Sequence, residues 1–177
     1  PQDWSSDGRF LLYGEIDSKT NADLWVLPLF GDQKPIPFLQ TTFNENQSAF
    51  SPDGRWIAYV SNESGPAQVY VQSFPVSGGK WMVSTTGGSQ PKWRRDGKEL
   101  FYLGPDRKLM AVDVKEDANK FEAGSPRALF ETRVFVGFGF ISGYQVSRDG
   151  QRFLVNTPLE ESAPSPLTVI LNWTAGI

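Results

Sequence analysis

Four aspartates stand at matched places in the chain, Asp7, Asp53, Asp96 and Asp149, at intervals of 46, 43 and 53 residues. Paired carboxylates are the equipment of glycoside hydrolysis, which needs an acid and a nucleophile or base held roughly 5 to 9.5 Å apart. Each aspartate, however, is followed directly by glycine, in Ser5-Ser6-Asp7-Gly8, Ser51-Pro52-Asp53-Gly54, Arg94-Arg95-Asp96-Gly97 and Ser147-Arg148-Asp149-Gly150. A catalytic pair is built once, whereas a backbone constraint is built into every unit. Asp7, Gly8, Asp53, Gly54, Asp96, Gly97, Asp149 and Gly150 therefore read as structural turns. In the second copy Ser51 caps a type I turn, Pro52 presets its dihedral and Gly54 closes it.

Other chemistries are narrowed by what the 177 residues lack. There is no histidine, which removes the Ser-His-acid triad, imidazole metal motifs and the commonest general base at neutral pH. There is no cysteine, so disulfides, thiol chemistry and soft-metal thiolate sites fall too. The acidic run Asp113 to Asp117 lacks the spacing and turn glycine of an EF-hand and reads as a solvated hairpin loop. No catalytic residue, metal site or cofactor is expected. The 17 basic and 20 acidic residues are scattered, giving a net charge of −3 without a basic stripe for nucleic acid, and Arg94-Arg95 reads as a solvated turn.

The elements that would hold such turns are short strands. An apolar run follows each Asp-Gly: Phe10 to Tyr13, Trp56 to Val60, Leu100 to Leu103 and Phe153 to Val155. In the second copy Trp56, Ala58 and Val60 alternate with Ile57 and Tyr59, so both faces need cover. Third strands are predicted at Asp23 to Leu29, Gln68 to Phe74, Lys108 to Val114 and Leu167 to Trp173. Fourth strands are predicted at Ile36 to Thr41, Lys80 to Thr85 and Arg127 to Thr132. The period fits one four-stranded propeller blade per unit, and 13 prolines with 17 glycines fit an all-β chain of many turns. We expect a single β-propeller domain over 1–177 with blades near 1–43, 44–86, 87–133 and 134–177. Three blades would be complete and the fourth would lack its outer strand. Such an open or partial propeller would be part of a larger one, or half of one completed by a second copy.

The stretch from Phe50-Ser-Pro-Asp-Gly-Arg-Trp-Ile-Ala-Tyr-Val-Ser through Gln68-Val-Tyr-Val-Gln to Gly87-Gly88 and Pro91-Lys-Trp93 resembles the TolB-like, WD-repeat-related propellers. Asn62-Glu63-Ser64-Gly65, Phe74-Pro75 and Leu171-Asn172-Trp173 are similar to the C-terminal sensor-like propellers of bacterial membrane-anchored serine/threonine kinases. The resemblance implies a non-catalytic binding or sensing module of a larger envelope-associated protein, in an extracytoplasmic or periplasmic place. It implies a protein or peptide partner first and a small ligand second. A homodimer through open blade edges is a further expectation; nucleic acid and direct membrane insertion are not expected. The alternative is a gating or accessory propeller of a peptidase or carbohydrate-active enzyme. No apolar run approaches the roughly 18 residues of a membrane span, so any export signal would lie on a preceding segment.

Segments entering the innermost strands converge at a propeller's channel mouth, which makes Asn46, Gln47, Ser89, Gln90, Gly143 and Tyr144 the candidate contacts. The glycine- and aromatic-rich stretch from Arg133 to Tyr144 adds Phe138 and Phe140, either as a partner contact or as a plug against the fourth blade. Trp4, Trp56, Trp81, Trp93 and Phe50 are expected to pack in the core.

Overall fold

The computed structural model describes residues 1–117, 120–134 and 142–157, and within them every regular element is a strand. The first blade runs β1 (Asp3–Trp4), β2 (Phe10–Asp17), β3 (Asn21–Pro28) and β4 (Ile36–Leu39), paired in that order. The second repeats the order with β5 (Glu45–Phe50), β6 (Trp56–Ser61), β7 (Gln68–Ser73) and β8 (Lys80–Met82). The third comprises β9 (Ser89–Trp93), β10 (Glu99–Leu103), β11 (Lys108–Asp117), β12 (Lys120–Ala123) and β13 (Arg127–Glu131). The fourth contributes β14 (Tyr144–Val146) and β15 (Phe153–Val155). Its predicted third strand, Leu167 to Trp173, lies outside the described residues. The chain is an all-β partial propeller.

Each Asp-Gly turn is built the same way. Gly8, Gly54, Gly97 and Gly150 take φ of 72°, 74°, 76° and 72°, the left-handed region that glycine enters without a Cβ penalty. Their amides donate to the carbonyls of Ser5, Ser51, Arg94 and Ser147 at 2.8 to 2.9 Å, closing a type I turn with the glycine as bulge. The aspartate Oδ1 accepts the backbone amide two residues on, from Arg9, Arg55, Lys98 and Gln151, at 3.0 to 3.1 Å. The Arg9 amide, then the Ser5 hydroxyl and the Arg9 side chain, hold the Asp7 carboxyl down at about 2. Burial opposes ionisation of Asp53, yet the Ser51 hydroxyl and the Arg55 amide leave its pKa below the ordinary value. Asp96 is lowered first by the Arg94 side chain and Asp149 first by the Ser147 hydroxyl.

The blades pack face to face, and the seams follow from period-two alternation. Leu12, Leu24, Val26 and Phe38 of the first blade meet Phe50, Ile57, Tyr59 and Tyr70 of the second. From the opposite face of the second, Trp56, Ala58, Val60, Val69 and Val71 meet Leu100, Tyr102, Val112 and Phe121 of the third. Phe101, Leu103, Leu109 and Ala111 then meet Tyr144, with Phe153 and Val155 against them. Every residue of β6 and β10 is buried.

Two expectations need correction. Trp4 is 58% exposed rather than in the core, and the apolar runs after the first and fourth turns, β2 and β15, are not covered on both faces as β6 and β10 are. Trp4 pairs with Leu11 as Phe50 pairs with Ile57 and Trp93 with Leu100. Those rows face the preceding blade, and no described blade precedes the first. Trp56 and Phe50 are buried, while Trp81 and Trp93 are partly buried against the same cluster.

The second correction concerns Asp113 to Asp117, which is strand and not loop. β11 continues to Asp117 and pairs with β12, in the register Val114↔Ala123 through Asp117↔Lys120, while β13 pairs with its first half. The extra hairpin exists because Phe121, 1% exposed, sits 5.4 Å from the rings of both Trp56 and Trp81. It extends the third blade across the second.

Trp56 is thus held from two blades at once. Trp56→Ala is expected to cost about 3–5 kcal/mol, the range for deleting a buried aromatic side chain, and urea unfolding measures it. An unchanged midpoint would contradict the placement of β6 between two blades.

Candidate functional site

The innermost strands β1, β5, β9 and β14 stand side by side around the propeller axis, and the candidate residues fall on them or just before them. Asn46 and Gln47 lie inside β5, Ser89 and Gln90 open β9, and Gly143 and Tyr144 flank the start of β14. Counted back from each turn aspartate, Gln47, Gln90 and Gly143 hold the same position. Gln47 and Gln90 both take left-handed φ, 49° and 55°. Ladder pairing is irregular beside each of them, between Asn46 and Ala49 and opposite Phe101 to Leu103. This is a β-bulge repeated from blade to blade.

The bulges aim the amide side chains sideways. Gln47 Oε1 accepts the Gln90 amide of the next blade at 2.9 Å, and Gln90 Oε1 accepts the Gly143 amide of the blade after that at 2.6 Å. The Tyr144 hydroxyl returns a bond to the Gln90 carbonyl at 2.8 Å. Between the first two blades the bonds are shifted by one residue: Gln2 Oε1 accepts both the amide and the hydroxyl of Ser48, at 2.5 and 2.7 Å. Asp3 Oδ2 accepts the Phe50 amide at 2.7 Å, and Trp93 Nε1 donates to the Ala49 carbonyl at 3.2 Å. The innermost strands, which share no ladder, are joined by side chains instead.

The structure therefore brings Gln47, Gln90, Gly143 and Tyr144 together as links between blades. Gln90 and Tyr144 are buried, and a Cβ on Gly143 would come 2.1 Å from Val134 Cγ1, so that position excludes any side chain. Asn46, Gln47, Ser89 and Ser142 remain half-exposed. Phe138 and Phe140 lie outside the described residues. The amide ladder is absent from the sequence reading, although glutamine six places before the turn aspartate in two successive copies signals it.

Two hollows flank this ladder. One, about 30 Å³ and so close to the size of a single water, is walled by Gln2, Gln47, Ser48, Gln90, Pro91, Lys92 and Ser142. The other is a cleft of about 300 Å³ at the turn end of the inner strands, walled by residues of all four blades. Asp3 and Lys92 face this cleft. Burial raises the Asp3 pKa against the Trp4 and Phe50 amides, and burial lowers that of Lys92 against the attraction of Asp3. Among the described residues no group of three or more carboxylates is placed to hold a metal ion, and no helix is long and apolar enough to cross a membrane.

The family model of the lipoprotein LpqB β-propeller domain (Gmad1) matches residues 31–158. The chain belongs to this propeller family. TolB from Acinetobacter baumannii superposes with a TM-score of 0.63 at 18% identity, over 86% of this chain and 36% of that one. A Bacteroides uniformis protein described as a 6-phosphogluconolactonase gives 0.55 at 14% identity, over 87% and 46%. An auxiliary nutrient binding protein from Bacteroides thetaiotaomicron gives 0.51 at 12% identity, over 83% and 34%. These likenesses show the TolB-like propeller fold, and the chain spans less than half the length of each. No curated protein sequence matches the chain.

The link between blades can be tested without introducing strain. Gln90→Asn suits a φ of 55° equally well, but its amide falls one methylene short of Gly143. Leaving that buried N–H unpaired is expected to cost about 1–3 kcal/mol and to speed hydrogen exchange at the Gly143 amide. Exchange at wild-type rate would show that the ladder does not hold the fourth blade.

Proposed function

We propose that this propeller is a non-catalytic binding module, which engages a protein or peptide partner at the axial face of its inner strands. The observation that carries the reading is a division between repeating and non-repeating positions. Turns, seams and inter-blade bonds recur from blade to blade, whereas other side chains around the axis change: half-exposed Asn46 stands where the third and fourth blades have Ser89 and Ser142, and four places before the turn aspartate successive blades carry Asp3, Ala49, Lys92 and Gln145. Side chains that vary over a constant frame are free to serve recognition. The lack of histidine and cysteine in all 177 residues supports binding over acid–base or thiol chemistry.

A lipoprotein in the description of the matching family supports an extracytoplasmic place. The resemblance of Asn62 to Gly65 and Phe74-Pro75 to kinase-borne sensor propellers supports a sensing role within a larger envelope protein. Leu11 and Tyr13, half-exposed beside Trp4, hold the places of Ile57 and Tyr59 in the second blade and of Leu100 and Tyr102 in the third, all of which are buried. This supports cover by another blade, from a second copy or from a longer chain.

Photo-crosslinking tests the reading. A crosslinker at Asn46 or Ser89 should yield a discrete adduct with an envelope protein, competed by excess unlabelled chain. One at Val76, exposed beyond β7, should not. Equal adducts from both places, or turnover of a peptide or glycan panel by the chain itself, would contradict it.

A further inference from the structure

The 300 Å³ cleft at the turn end carries charge that the fold does not explain. Four places before the turn aspartate, successive blades present Asp3, Ala49, Lys92 and Gln145; one place before it they present Ser6, Pro52, Arg95 and Arg148. All eight residues line the cleft. The first two blades supply one carboxylate and no cation, and the last two supply three cations and no carboxylate, on a chain whose net charge is −3. A repeated scaffold has no need of this asymmetry.

The cations are also unspent. Arg9 pairs with Asp7, Arg55 with Asp53, Arg94 with Asp96 and Glu99, and Arg127 with Glu99. Arg95 and Arg148 make no ion pair among the described residues, although aspartates stand directly beside them in sequence. The turns explain why: Asp96 and Asp149 are already taken by Arg94, by Ser147 and by backbone amides. Lys92 is partly withdrawn from water, and its one acidic neighbour, Asp3, is committed to the Phe50 amide.

We propose that this cleft is an oxyanion site, in which Lys92, Arg95 and Arg148 take a carboxylate or phosphate group of a ligand. Guanidinium forks match the paired oxygens of either group. A bound anion adds a second counter-charge for Lys92 beside Asp3, whose Oδ2 already accepts the Phe50 amide. The inference gives chemistry to one end of the axial face in the binding-module reading and rests on that reading only for its biological purpose.

The test needs no partner protein, so its failure and that of the module reading are distinguishable. Isotope-labelled full chain is titrated with inorganic phosphate, and separately with succinate, at constant ionic strength while NMR follows the Trp93 indole and the Arg95 and Arg148 side-chain N–H signals. Saturable shifts are expected, weakened at least about tenfold in Arg95→Gln/Arg148→Gln, since each lost charged hydrogen bond is worth more than a factor of ten. Thermal stability should stay at the wild-type value, because neither arginine has a partner to lose. Arg148→Gln alone, in the peripheral blade, provides the same comparison should the double variant fold poorly. Tighter binding of phosphate marks a phosphoryl ligand, and tighter binding of succinate marks a carboxylate. Shifts that are linear for both probes, or that persist unchanged in the variants, would overturn the site.

Discussion

Trp56 and Ile57 are neighbours in one strand, and their side chains are buried in different seams. A strand that hides both faces must stand between two sheets, and a chain that repeats such strands must stack its sheets in series. Radial stacking satisfies this demand at each step with the same local geometry. The aromatic seams, the tight turns and the position of the axis all depend on it. Burial of each large side chain contributes on the order of 1.5–3 kcal/mol, so the seams dominate any single hydrogen bond in the structure.

Stacking sheets by their faces leaves the inner strands close together but unpaired by any ladder. The chain joins them with glutamine amides, one aspartate and one indole N–H, and each glutamine that links two of the later blades sits in a left-handed bulge. Most of the side chains that composition and position mark as polar contacts for a ligand are thereby consumed in holding blades to one another. What remains available lies on the rim and in the turn-end cleft, where residue types change from blade to blade. Recognition and architecture thus occupy adjacent residues of the same strands.

Much of this was legible in the sequence because it rests on local rules. Asp-Gly after a serine or arginine specifies the turn, and the alternation Trp56-Ile57-Ala58-Tyr59-Val60 specifies a doubly covered strand without knowledge of its neighbours. Features that depend on a neighbouring blade were not legible. Trp4 has the same place in its repeat as Phe50 and Trp93, and only the absence of a described blade beside it explains its exposure. The β12 hairpin is driven by one residue, Phe121, whose cluster comes mostly from the second blade; the acidic run before it reads as loop by composition. The pairing of Arg94 and the freedom of Arg95 likewise depend on which side of the turn each faces.

Native-state hydrogen exchange tests serial stacking most directly, because protection reports how each strand is covered. The account predicts that the amides of Ile57–Val60 and Leu100–Leu103 exchange only through global unfolding, whereas those of β2 and β15, each flanked by one described blade, exchange through smaller openings. Equal protection of β2, β6, β10 and β15, or greatest protection in β2, would contradict it.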